Sequence, residues 1–210
     1  MKDLKSQQLE LLEQTYIDAI PQLKFSSPFE LLVAVILSAQ CTDRQVNKVT
    51  AELFPIADTP EKILDIGLEK LEEIIKPCGF YHSKAKHIFE TSKILVEKYD
   101  SSVPRTFDGL IELPGVGRKT ANVVLSIEFK IPAIAVDTHV FRVANRLKLA
   151  EGQTPLEVEL GLQRVIPKNK WSAAHHWLIW HGRMLCHARR PNCAECPLNE
   201  ICPSNVVVED

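Results

Sequence analysis

The chain has 210 residues, 45% of them apolar and 25% charged, with a net charge of −2. This is ordinary globular material for one large domain or two small ones, and it excludes disordered, collagen-like and coiled-coil classes. The longest apolar run, residues 31–37, falls far short of the roughly 20 residues of a membrane span.

The N-terminal stretch has no apolar signal core, so an intracellular protein is expected. Its six cysteines then sit in a reducing compartment, where clustered cysteines mean metal more often than disulfide. The pattern that follows is helical almost throughout. Leu9, Leu12, Tyr16 and Ile20 step by three and four along one face, predicting a helix near 4–20. Ser27-Pro28, Thr59-Pro60 and Thr154-Pro155 each put a capping hydroxyl before a proline in a first helical turn. Glu30 and Glu157 complete capping boxes after the first and third of these, and Thr42 is a fourth candidate cap. Helices are predicted near 28–40, 43–54, 60–66, 68–76, 83–99, 106–112, 117–129, 138–148 and 154–186, the last broken around Pro167. Residues 131–136 are the one strand-like run, and Pro132 argues against a strand there. Cys41 and Cys78 lie apart from the other cysteines and read as buried thiols.

Leu113-Pro114-Gly115-Val116-Gly117 falls between two predicted helices. Proline and two glycines make a tight turn and leave backbone N–H groups uncovered at the start of the next helix, which is an anion site by geometry and dipole. On DNA such a turn holds a phosphate without reading sequence. Lys119 lies in the first turn of that helix and reads either as a phosphate-contacting lysine or as an amine nucleophile. A nucleophile must be neutral, yet a free lysine has a pKa of roughly 10.4. A helix N-terminus helps by under one unit, whereas burial lowers a lysine by up to ~3–5 units. A reactive Lys119 therefore needs an enclosed pocket. Asp137, after an apolar stretch and before Thr138-His139, reads as a helix N-cap, a rigid position that also suits a catalytic carboxylate.

Charge is segregated along the chain: residues 1–83 sum to −5, 84–150 to +4 and 151–210 to −1. Residues 161–194 contain no carboxylate but six Lys/Arg and four His. Such segregation suits a polyanion, although by itself it is no more than a surface asymmetry. Cys186, Cys193, Cys196 and Cys202 then give C-x6-C-x2-C-x5-C, four thiolates able to converge on one ion or one cluster. Spacing does not decide between zinc and iron–sulfur. The tail has little apolar material of its own, so metal binding would stabilise it outright. Arg189 and Arg190, between the first two cysteines, are either phosphate contacts or solvated surface arginines.

Taken together, Leu113-Pro-Gly-Val-Gly-Arg-Lys-Thr-Ala121, Val136-Asp-Thr-His-Val-Phe-Arg142 and the cysteine spacing resemble endonuclease III, the DNA glycosylase/AP lyase family of the helix-hairpin-helix superfamily, from about residue 25 to Cys202. The resemblance implies an all-α, two-lobed helix-hairpin-helix DNA glycosylase fold with a C-terminal iron–sulfur loop. It implies a six-helix barrel domain over 21–131. The discontinuous domain of 1–20 with 132–210 would carry a [4Fe–4S] cluster on Cys186, Cys193, Cys196 and Cys202, with a DNA groove between the lobes. Lys119 matches the family's Schiff-base lysine and Asp137 its catalytic aspartate. Gln40 matches the residue that fills the gap of an extruded base, and Phe80 stands where the wedge is usually Leu. Leu113, Gly115, Val116, Gly117, Arg118, His139, Arg189 and Arg190 complete the implied DNA contacts.

The expected function is removal of oxidised or damaged pyrimidines from double-stranded DNA in base-excision repair. A lysine Schiff base would form, followed by 3′-side cleavage through β-elimination. The expected protein is a monomer of the bacterial cytoplasm, at the nucleoid and off the membrane. The alternatives are a non-catalytic helix-hairpin-helix iron–sulfur DNA-binding protein, an adenine-glycosylase-like one, or a zinc-stapled helical adaptor. The adenine-glycosylase family carries a catalytic Glu in its early helix, and residues 31–40 hold no carboxylate.

Overall fold

A computed structural model describes residues 3–205. Among these the regular structure is entirely helical, with ten α-helices and two short 3-10 turns. They are α1 (Leu4–Thr15), α2 (Pro28–Leu37), α3 (Asp43–Leu53), α4 (Pro60–Ile75), α5 (Tyr81–Lys98), α6 (Phe107–Ile111), α7 (Arg118–Ile127), α8 (Thr138–Arg146), α9 (Pro155–Val165) and α10 (Trp171–Met184). No described helix is long and apolar enough to cross a membrane. The chain divides into two compact units, Gln22–Ile131 and Met1–Pro21 with Pro132–Asp210.

In the first unit α2 is the hub. Ser27 caps it through a hydrogen bond from the Glu30 amide, Pro28 opens it, and every residue from Phe29 to Leu37 is buried. A helix apolar on all sides has to be surrounded, and α2 packs against α3, α5 and α7. The Ser27–Glu30 pair is only half a capping box, because the Glu30 carboxylate accepts from the Ser26 amide instead of that of Ser27. Thr154 and Glu157 close theirs at the start of α9. Gly67 sits at φ 77° inside α4 and breaks it where two helices were expected.

In the second unit Leu12, Val140, Val143, Leu147, Val158, Leu162, Trp177 and Leu178 form the core, with α8 against α9 and α10 and α1 against α10. Here α1 stops at Thr15, five residues short of expectation, and Ile20 is 63% exposed instead of joining the apolar face. Ile20 precedes Pro21, which disfavours helical geometry at the residue before it, and its carbonyl instead accepts from the Trp180 indole. Residues 131–136 form no strand, as expected.

Candidate functional site

The glycine turn is built from its surroundings inward. Leu113 and Val116 are buried and anchor it, so what this segment turns outward is backbone. Helix α5 braces it from one side, where the Thr91 hydroxyl donates to the Pro114 carbonyl at 2.9 Å. Gly115 adopts φ +76°, and a Cβ there would meet the His87 Cβ at 2.9 Å, so both backbone and space demand glycine. Gly117 caps α7 with extended φ −89° and no side-chain cap, and a Cβ there would meet nothing within 4 Å. The first N–H groups of α7 therefore face an open approach. Arg118 lies over the Phe107 ring at 4.9 Å, linking the starts of the two hairpin helices.

Lys119 is exposed. This corrects the expectation of an enclosed amine: the protein alone does not bury it, because the first turn of α7 faces outward from the packed side of the helix, where Ala121, Val124 and Leu125 lie. Asp137 belongs to the other unit and is half-buried. Its Oδ1 accepts from the amides of His139 and Val140, each at 2.8 Å, and Oδ2 takes neither bond. His139 is half-buried beside α10, its Nδ1 3.2 Å from Arg142 Nη2 and its Cβ close to Gly182.

Gln40 and Phe80 share an unusual geometry. Both are exposed non-glycine residues in the left-handed region, at φ 52° and 58°. Such residues cost on the order of 1–3 kcal/mol each and persist where the surroundings hold them. Phe80 is 69% exposed just before α5, a large apolar ring presented to solvent. Cys78 is buried as expected, whereas Cys41 is only half-buried, since it follows the turn at Gln40 that leaves the α2 core.

Cys186, Cys193, Cys196 and Cys202 are reduced, half-buried and line one cavity of about 280 Å³. The lining holds four sulfurs and no carboxylate, a donor set that suits soft metals. Among the described residues no three His, Cys, Asp or Glu side chains close around a single-ion position. Four sulfurs ringing a cavity fit a multi-iron cluster with one iron per sulfur. Burial, and after it the neighbouring thiols, push Cys196 and Cys202 up from the ordinary cysteine range. Bound iron reverses that balance by taking the thiolate form.

Two arginines spaced four apart on α8 hold this loop, and neither was singled out from the sequence. Arg142 donates from Nε to the Cys186 carbonyl at 2.9 Å. Arg146 donates to the Cys186 sulfur at 3.3 Å and to the His187 and Ala188 carbonyls at 2.6 and 3.0 Å. The Gln8 amide donates to the Ile201 carbonyl from α1. His181 sits between the Tyr16 hydroxyl, 3.0 Å from Nδ1, and the Cys196 sulfur, 3.8 Å from Nε2. Burial pulls the His181 pKa down to about 4, so the ring is neutral. Arg189 and Arg190 stand exposed on the same loop.

An all-helical fold with a braced glycine turn, an outward lysine and a four-thiol loop defines a helix-hairpin-helix repair protein with an iron–sulfur loop. Comparison with known proteins agrees. Residues 33–168 match the HhH-GPD superfamily base excision DNA repair proteins, and residues 186–202 match the iron-sulfur binding domain of endonuclease III. Endonuclease III of Rickettsia conorii is 56% identical over 86% of each chain. That of Escherichia coli is 51% identical, also over 86% of each chain. A solved trapped endonuclease III–DNA covalent intermediate superposes with a TM-score of 0.92 at 46% identity, covering 98% of both chains. A non-covalent endonuclease III–DNA complex has the same TM-score and identity, over 98% of this chain and 97% of that one. The chain belongs to the endonuclease III family. It is a DNA-binding base-excision DNA glycosylase/AP lyase, and its cofactor is a [4Fe–4S] cluster.

Proposed function

We propose that this glycosylase/AP lyase removes oxidised or damaged pyrimidines from double-stranded DNA, with Lys119 as nucleophile and Asp137 as its acidic partner. The hairpin amides around Gly115 and Gly117 hold a backbone phosphate. Arg118, His139, Arg189 and Arg190 add further contacts. Gln40 fills the gap left by the extruded base and Phe80 wedges the stack, lowering the cost of holding the nucleotide out. Poor stacking of a damaged base lowers that cost further.

The chemistry needs a neutral amine. Lys119 is exposed in the free protein, so bound DNA supplies the desolvation that favours the neutral amine. The amine then attacks C1′, and the C1′–N bond breaks as the base departs with its bonding electron pair. Asp137 Oδ2 takes the proton shed by the ammonium that forms and passes it to the ring oxygen O4′, so the C1′–O4′ bond breaks and the deoxyribose ring opens to a Schiff base. That imine is an electron sink. Loss of a C2′ proton expels the 3′ phosphate, and water releases Lys119. Cys186, Cys193, Cys196 and Cys202 hold the [4Fe–4S] cluster, which shapes the loop carrying Arg189 and Arg190. The protein works as a monomer in the bacterial cytoplasm, at the nucleoid.

The observation that supports the assignment most directly is the exposed Lys119 in the first turn of α7, beside the glycine hairpin. Borohydride should trap a covalent adduct on abasic or thymine-glycol duplex. Lys119→Gln should abolish that adduct while duplex binding survives in a gel-shift assay. Continued trapping by the variant would remove Lys119 from its role.

A further inference from the structure

One buried cation is bonded to both segments that lead into Gln40 and Phe80. Lys84 is 5% exposed. Its backbone N–H donates to the Phe80 carbonyl at 3.1 Å. Its ammonium donates to the Leu37 carbonyl at 2.8 Å, and Leu37 is the last residue of α2, three before Gln40. One residue thus grips both turns. The Cys41 and Cys78 thiols are also neighbours here, each close enough to Lys84 to act on its charge. Cys41 follows Gln40 directly, and Cys78 precedes Phe80 by two.

Burying an ammonium is costly unless it is bonded. An apolar side chain would fill the same space without that cost, so the lysine is there for its bond. The bond it makes is to the negative end of α2, where a cation is favoured. Burial lowers the Lys84 pKa, while the two neighbouring thiols act to raise it.

We propose that Lys84 is a positioning residue for base extrusion, fixing the spacing between Gln40 and Phe80 so that both enter the duplex in register. This rests on the reading of Gln40 as the residue that fills the gap. Without the bond to Leu37, the Gln40 turn can shift relative to Phe80 while the hairpin and Lys119 stay in place. Damage is then confined to substrates whose base must be extruded. An abasic site has no base to extrude and is processed as before.

A double-mutant cycle of Lys84→Met and Gln40→Ala tests this, read as single-turnover excision from thymine-glycol duplex and as borohydride trapping on abasic duplex. Lys84→Met should slow excision by about tenfold or more, as a misplacement of an ångström would. Trapping should change by less than about twofold, and the double variant should be no slower than the worse single variant. If the double variant shows the full product of both losses, or if trapping falls in step with excision, Lys84 does not act through Gln40 and the proposal fails. If Gln40→Ala leaves excision unchanged while Lys84→Met slows it, the reading of Gln40 itself is wrong, and the proposal falls with it. Should Lys84→Met not fold, Lys84→Gln takes its place in the cycle, and the same outcomes decide.

Discussion

The hairpin at 113–121 and the loop at 186–205 both carry exposed basic side chains, yet they are held by opposite means. In the hairpin Leu113, Val116 and Ala121 are buried, and α5 supplies a hydroxyl and a ring that fit the turn. In the loop Leu198 alone is buried. The rest hangs on polar bonds from Arg142, Arg146 and Gln8, on Ile201 packed against the core, and on four cysteines around a cavity. The hairpin draws its rigidity from the core of its unit, whereas the loop has little buried apolar material and a thiol set that suits a metal. Lys119 lies in the hairpin's unit, whereas Asp137 caps α8, the helix whose arginines hold the loop.

The contrast is broken most sharply by removing the cluster. A structural metal site contributes on the order of 10 kcal/mol in small domains that lack a core. Cys196→Ala should lose the iron and its visible absorbance and open 187–205 to proteolysis. Amide exchange across 107–121 should hold at its native rate. If the hairpin amides exchange as fast as those of the loop, the two regions share one source of stability and the comparison fails.

A smaller effect is expected within the hairpin. Gly115→Ala meets both the left-handed φ of +76° and the His87 Cβ at 2.9 Å. The backbone costs about 1–2 kcal/mol and the overlap about 1–3 kcal/mol, so a loss of about 2–5 kcal/mol is expected in denaturant unfolding. A loss no larger than the backbone's own share, about 1–2 kcal/mol, would mean that α5 gives way and does not brace the turn.

These differences also mark what could be read from residues alone. Helix starts were legible because Ser27, Thr42, Thr59, Thr106 and Thr154 act within three residues of themselves. The Gly67 break and the end of the helical stretch near Pro167 were legible for the same reason, since the signal is local. Helix ends were not. Periodicity carried α1 to Ile20 and α2 to Gln40, but the first ends before an X-Pro bond and the second at the turn that leaves Gln40 left-handed. The four cysteines could be found by spacing, and the hairpin by its glycines. Arg142, Arg146 and Lys84 could not, because their partners lie 40 or more residues away in the chain and are mostly carbonyls, which any residue supplies. Their one visible trace is the spacing of Arg142 and Arg146, four apart on α8. The exposure of Lys119 was also illegible, since it depends on what packs around the first turn of α7.

The finest test separates holding the hairpin from using it. Gly117 has an ordinary extended φ, and a Cβ there meets nothing within 4 Å. Gly117→Ala therefore should cost the fold little, roughly 0.5–1 kcal/mol, because alanine is a poorer N-cap than glycine. The added methyl nevertheless sits at the N-cap of α7, next to the approach that a phosphate would take. Duplex affinity should fall by about tenfold, close to the value of one good charge-assisted contact, and the loss should be the same for damaged and undamaged duplex, since a phosphate contact carries no sequence or lesion information. Gly115→Ala, by contrast, should lose stability first and affinity only as a consequence. An unchanged affinity in Gly117→Ala would show that the open face of α7 takes no phosphate, leaving Gly115 as a folding device alone.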